Sequence, residues 1–119
     1  MNALFPYPEI RDQQQTAMDF INDTFKNKDK KFCIIEAGTG VGKSALGIYT
    51  ANLLQNSVSD KEDGCYFLTT QKILQNQYME DFSSKENMLS LKSSSNYNCS
   101  YYKGTSCGES LRILKTASK

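Results

Sequence analysis

Apolar residues recur at helical spacing over residues 10–25, where Ala17, Met18, Ile21 and Phe25 share one face, and Pro6 and Pro8 keep the preceding segment extended. A first helix is expected there. A charged connector over 27–31 leads into residues 32–36, a short and nearly continuous apolar run of the kind shown by a strand buried on both faces. A glycine-rich turn follows, and then Ala45, Leu46, Tyr49 and Leu53 at helical spacing predict a second helix over about 42–55. Beyond a polar loop around residues 57–64, Cys65-Tyr66-Phe67-Leu68 reads as a second buried strand ending in Thr69-Thr70. Ile73, Leu74, Gln77, Tyr78 and Phe82 place a third helix after it, with Thr70 as the expected N-cap.

Strand, helix, strand, helix with short connections is the pattern of an α/β protein: a parallel sheet flanked by helices, with ligands at the C-terminal ends of the strands. From Ser83 onward the chain is rich in Ser, Lys and Asn, with Met88-Leu89-Ser90-Leu91 as a short strand and 111–115 as a helical turn. No internal repeat is visible. The expected division is an ordered part over 1–91 and a looser part over 92–119.

Composition narrows the chemistry. The length of 119 residues suits one small domain or a piece of a larger one, and the net charge of +1 marks neither a general nucleic-acid binder nor a disordered acidic chain. The absence of His removes Ser-His-Asp and Cys-His catalysis, HExxH zinc chemistry and any histidine pH switch. The first residues show no signal-peptide pattern and no apolar run is long enough to span a bilayer, so a soluble cytoplasmic protein without membrane contact is expected. In that compartment the four Cys are thiols or metal ligands rather than disulfides. Cys33 and Cys65, inside strand-like runs, are expected to be inert buried hydrophobes.

The strongest chemical signal is Glu36-Ala37-Gly38-Thr39-Gly40-Val41-Gly42-Lys43-Ser44, between a predicted strand and a predicted helix. Gly38, Gly40 and Gly42 permit positive φ and let backbone N–H groups approach phosphate oxygens, and the helix that follows adds its positive end. Lys43 can reach the β- and γ-phosphates and stabilise the charge that develops in transfer, and the Ser44 hydroxyl is placed for Mg²⁺. The common pattern has Gly where this chain has Ala37, and Ala in that slot is frequent in helicases. A nucleoside triphosphate site is expected over residues 37–44.

Upstream, Arg11-Asp12-Gln13-Gln14 follows Phe5-Pro6-Tyr7-Pro8. A Gln amide donates and accepts in one plane, which suits the N6/N7 edge of adenine, while a nearby aromatic can stack on the base. ATP is favoured over GTP on that basis. Solvated polar positions on an ordinary helix are the plainer alternative.

In these segments the chain resembles the iron–sulfur superfamily 2 DNA helicases of the XPD and DinG type. Phe5-Pro6-Tyr7-Pro8-Glu9-Ile10-Arg11-Asp12-Gln13-Gln14 looks like the adenine-reading region of that family, with Arg11 and Gln14 on matching positions, and the Glu36 to Ser44 segment is similar to its motif I. Phe67-Leu68-Thr69-Thr70-Gln71-Lys72-Ile73-Leu74-Gln75-Asn76-Gln77 resembles its motif Ia, which implies contact of Thr69, Thr70 and Gln71 with the backbone of single-stranded DNA. The residue chemistry is compatible, because hydroxyls, an amide and helix-start N–H groups form a neutral phosphate grip, although Thr70 as a simple helix cap accounts for it equally. Leu91-Lys92-Ser93-Ser94-Ser95-Asn96-Tyr97-Asn98-Cys99 resembles the approach to the first cluster cysteine.

The resemblance implies a RecA-like P-loop NTPase fold, a monomeric motor that moves 5′ to 3′ on single-stranded DNA using ATP and Mg²⁺, and a [4Fe–4S] cluster with Cys99 and Cys107 as its first two ligands. The residues alone leave two free thiols as an alternative, since such clusters take four thiolates. No apolar run ends in the Asp-Glu that would hold Mg²⁺ and orient water, and Glu62-Asp63 and Glu80-Asp81 fall in a loop and on a helix. The expectation is therefore an incomplete RecA-like motor domain over 1–91 followed by the start of a cysteine-containing insertion, a piece that alone binds ATP without useful hydrolysis. A small P-loop phosphotransferase would show lid arginines near the C-terminus, where only Arg112 stands, and a metal-binding module would carry its full ligand set.

Overall fold

The computed structural model describes residues 3–27, 29–57 and 64–117. Residue 28 of the charged connector and residues 58–63 of the polar loop, Glu62 and Asp63 among them, lie outside the described residues. Among the described residues there are four helices, α1 (Asp12–Lys26), α2 (Lys43–Ser57), α3 (Lys72–Phe82) and α4 (Cys107–Ala117), with a single 3-10 turn at Ser94–Asn96. The chain folds as two units, residues 1–69 and 70–119.

In the first unit α1 packs against α2. The spacing read from the sequence is the cause: Met18 and Ile21 of α1 meet Ala45, Leu46 and Tyr49 of α2, and Phe5 closes the cluster from the extended segment that precedes α1. Ile10, Ala17, Phe25, Cys33 and Leu53 pack around it. A partly buried polar link supports the apolar contact, since the Asn22 amide Nδ2 donates to the Tyr49 hydroxyl at 2.8 Å.

The two segments expected as strands, 32–36 and 65–68, are extended but carry no strand pairing, and no β-ladder occurs among the described residues. Each nevertheless shows the two-residue alternation of an extended chain. Cys33 is half-buried against the α1–α2 core, whereas Phe32 and Ile34 are 84% and 88% exposed. Phe67 lies against Gly47 of α2, where a Cβ would come within 3.0 Å of its ring, whereas Tyr66 and Leu68 are 95% and 92% exposed. One side of each segment thus packs on the helices, and the other is exposed. Cys65 is exposed, which corrects its assignment as a buried hydrophobe.

In the second unit α3 groups with the tail rather than with the preceding residues. Gln75 Nε2 donates to the Leu91 carbonyl at 3.2 Å, and Lys92 Nζ donates to Asn76 Oδ1 at 2.8 Å. The N-cap of α3 is Gln71, not Thr70, and the short strand expected at 88–91 does not form. The helical turn expected at 111–115 is the interior of the longer α4. Ser106 and Glu109 explain its earlier start: Glu109 N–H donates to Ser106 Oγ at 3.2 Å and Ser106 N–H donates to Glu109 Oε2 at 3.0 Å, a reciprocal capping box. The helix then packs on the 3-10 turn through Gly108, where a Cβ would stand 3.2 Å from Ser95 N.

Candidate nucleotide site and cysteine hairpin

The glycine-rich loop runs directly into α2. The Gly42 carbonyl accepts from Ala45 N–H at 3.1 Å and from Leu46 N–H at 3.3 Å, so the helix starts immediately after the loop and directs its positive end at it. Gly40 and Gly42 have φ of +82° and +84°, a region that residues bearing a Cβ rarely adopt. Gly38 does not share this conformation, and a Cβ there would meet nothing within 4 Å. The expectation of positive φ at all three glycines is corrected to two, because the turn begins only at Thr39, after Gly38.

Lys43 opens α2 and folds back over the loop, its ammonium donating to the Ala37 and Gly38 carbonyls at 2.9 Å each. The loop thereby closes around one positive charge. Ser44 is half-buried one position further along the helix, and Thr39 is exposed at the loop turn. Ala37, Gly38, Thr39, Gly40, Val41, Gly42, Lys43 and Ser44 thus form one continuous feature. The lysine and the helix end supply the positive potential an anion requires, and a hydroxyl able to ligate a hard cation stands beside them.

Arg11 and Gln14 are brought to the same loop, but to its backbone. Arg11 Nη1 donates to the Gly40 carbonyl at 2.7 Å, and Gln14 Nε2 donates to the Val41 carbonyl at 3.0 Å. The other end of the Gln14 amide, Oε1, accepts from Arg11 N–H at 3.0 Å and caps the first turn of α1. Gln14 is 5% exposed. Its separation from Val41 along the chain, 27 residues, carries no sequence signal for this contact.

Residues 7–112 match the family model of the type III restriction enzyme, res subunit. The chain belongs to this family, a helicase-related group within superfamily 2. No curated protein and no solved structure matches the chain. At the level of the family the function is that of an ATP-dependent helicase or translocase, an enzyme class that uses ATP and Mg²⁺ and binds nucleic acid. Among the described residues, no helix is long and apolar enough to cross a membrane.

Thr69 is half-buried at the end of the first unit, and Thr70 and Gln71 are exposed at the start of the second. The first turn of α3 carries no acidic side chain, and Lys72 opens it. That leaves the helix start free of the repulsion that would oppose a phosphate.

Cys99 and Cys107 are brought together by a short hairpin. Asn98 and Ser106 form an antiparallel bridge, Cys99 N–H donates to the Thr105 carbonyl at 2.9 Å, Cys107 N–H donates to the Tyr97 carbonyl at 2.8 Å, and Gly104 turns the loop at φ +85°. Both thiols line a cavity of about 490 Å³ with Tyr101, Tyr102, Ser110, Leu111 and Leu114. Hydrogen bonds from the Ser110 hydroxyl and from Tyr102 N–H hold the Cys99 thiol below its ordinary pKa. The residues present do not make up a cluster site: among the described residues no three Cys, Asp or Glu side chains converge on one point, and Cys33 and Cys65 belong to the other unit.

Proposed function

We propose that the chain supplies the ATP-binding part of an ATP-dependent DNA helicase of the DinG and XPD type, in which closure on ATP drives 5′ to 3′ movement along single-stranded DNA. Residues 1–91 belong, in this proposal, to a RecA-like motor domain. There the segments 32–36 and 65–68 are strands of a parallel α/β sheet whose remaining strands bury Phe32, Ile34, Tyr66 and Leu68. Residues 92–119 belong to a cysteine-bearing insertion. Support comes from four landmarks in family order: Arg11 and Gln14, the loop from Ala37 to Ser44, Thr69-Thr70-Gln71, and Cys99 with Cys107.

The observation that carries the proposal is the loop itself, with Gly40 and Gly42 in left-handed conformations and Lys43 held over it at the start of α2. A triphosphate would take the ammonium from the Ala37 and Gly38 carbonyls, exchanging neutral acceptors for charged ones. Thr69, Thr70 and Gln71 are proposed to grip the backbone of single-stranded DNA. No step is routed through an iron–sulfur cluster. Binding rather than hydrolysis is assigned to these 119 residues, since none of their apolar runs ends in the paired carboxylates that hydrolysis needs.

The test is fluorescence titration of the 119-residue chain with a labelled ATP in the presence of Mg²⁺, beside its Lys43→Ala variant. Hydrogen bonds to charged groups contribute roughly 1.5–3 kcal/mol, so the variant is expected to bind about tenfold or more weakly. Equal affinity of the two proteins would refute the assignment. A labelled single strand competed by unlabelled duplex tests the DNA part, with Thr70→Ala and Gln71→Ala expected to weaken the single strand.

A further inference from the structure

A planar trans peptide points the carbonyl of one residue and the N–H of the next in opposite directions. All peptide bonds among the described residues are trans. Two consecutive carbonyls of the glycine-rich loop are turned toward the start of α1: Gly40 accepts from Arg11 Nη1 at 2.7 Å and Val41 accepts from Gln14 Nε2 at 3.0 Å. The N–H groups of Val41 and Gly42 therefore face away from α1. Glycine at position 42 suits this arrangement, since its φ is +84° and a Cβ there would displace the Gln14 amide from the loop.

Gln14 is in turn held from behind. Its Oε1 accepts from Arg11 N–H, so the amide is oriented by the helix start while its Nε2 orients the loop. The side chain is buried, and its two ends are engaged by backbone, not turned to an open face where a base could stack.

Resting on the nucleotide-binding role proposed above, we infer that Arg11 and Gln14 are positioning residues for the phosphate loop, acting through the Gly40 and Val41 carbonyls and setting affinity for a polyphosphate whatever base it carries. Removing either donor frees a peptide plane to rotate, and the N–H group behind it loses its fixed direction. The effect falls on the part of the ligand that the loop touches.

The experiment measures dissociation constants of the full 119-residue chain for ATP, GTP and inorganic tripolyphosphate, each with Mg²⁺, in the wild type and in Gln14→Met, Arg11→Ala and Arg11→Lys. Gln14→Met keeps the buried volume and removes the donor. Arg11→Ala removes an exposed side chain and serves where Gln14→Met fails to fold, as judged by circular dichroism. The expected result is a loss of about threefold to tenfold in Gln14→Met, as for a neutral hydrogen bond, and of about tenfold or more in Arg11→Ala, whose donor is charged, each loss equal for all three ligands and with partial recovery in Arg11→Lys. A loss confined to ATP, with GTP and tripolyphosphate unchanged, would overturn the inference in favour of adenine recognition. Unchanged affinity for all three in a folded variant would overturn it as well. Wild-type protein that binds none of the three would instead refute the nucleotide-binding role and the inference with it, an outcome distinguishable from the other two.

Discussion

The Tyr49 hydroxyl accepts a hydrogen bond from the Asn22 amide at 2.8 Å, joining α2 to α1 at a position that leaves Tyr49 only 1% exposed. The ring supplies apolar area to the core around Met18 and Ile21, and the hydroxyl satisfies a partly buried amide. The two contributions separate by substitution. Tyr49→Phe is expected to destabilise the first unit by about 1 kcal/mol, the net value of one hydrogen bond, and Tyr49→Ala by roughly 3–5 kcal/mol through cavity formation. Urea unfolding of the three proteins, followed by circular dichroism, measures both.

Gly40 and Gly42 share a left-handed φ but differ in their surroundings. Gly40→Ala meets open space and carries only the backbone cost, about 1–2 kcal/mol. Gly42→Ala bears that cost and also drives a methyl group into the Gln14 amide. Its melting temperature is expected to fall further than that of Gly40→Ala, with a larger loss of triphosphate affinity. Equal effects at the two positions would contradict the close approach of Gln14 to the loop.

The hydrogen bonds of Ser110 and Tyr102 favour the Cys99 thiolate over the thiol, so its pKa lies below the ordinary thiol value. Alkylation by iodoacetamide proceeds through the thiolate and is therefore expected to rise at lower pH for Cys99 than for an unstructured thiol. Ser110→Ala removes the larger of the two contributions and is expected to move the profile upward. Peptide mapping by mass spectrometry over a pH series gives the profile for each Cys. A Cys99 profile unchanged by Ser110→Ala would contradict the bond.

Phe32, Ile34, Tyr66 and Leu68 expose large apolar side chains on the uncovered sides of two extended segments. Exposed apolar surface favours association. The isolated 119-residue chain is expected to bind the dye ANS and to self-associate with rising concentration, and Ile34→Lys with Tyr66→Lys to reduce both. Sedimentation velocity reads the association, and a monomer that ignores ANS would speak against an uncovered face.

The helices are legible in the sequence because their cores are local patterns. Met18 and Ile21, then Ala45, Leu46 and Tyr49, lie at spacings that bury one face whatever the partner, and α1 and α2 fall within two residues of their expected limits. The continuous apolar runs at 32–36 and 65–68 read as strands buried on both faces, whereas Phe32, Ile34, Tyr66 and Leu68 are exposed and neither segment is paired as a strand. Pairing is beyond the reach of a local pattern, since a strand is completed by hydrogen bonds to residues distant along the chain. The early start of α4 does have a local signal, Ser106 followed by Glu109 at the capping-box spacing.

The glycines, Lys43 and Ser44 announce a phosphate loop by residue type alone, because only certain side chains permit positive φ, carry a reachable charge or offer a hydroxyl. Membership of the type III restriction enzyme res-subunit family is carried by the sequence over residues 7–112, and the order of the motifs points to the same helicase-type superfamily. Tertiary structure decided what Arg11 and Gln14 touch. Their donors reach the Gly40 and Val41 carbonyls across an intervening helix and connector, and no periodicity in the sequence encodes which backbone oxygen a distant amide will meet. It also decided that Cys99 and Cys107 share one cavity, since a bridge between Asn98 and Ser106 brings together thiols that seven intervening residues would otherwise leave free to separate.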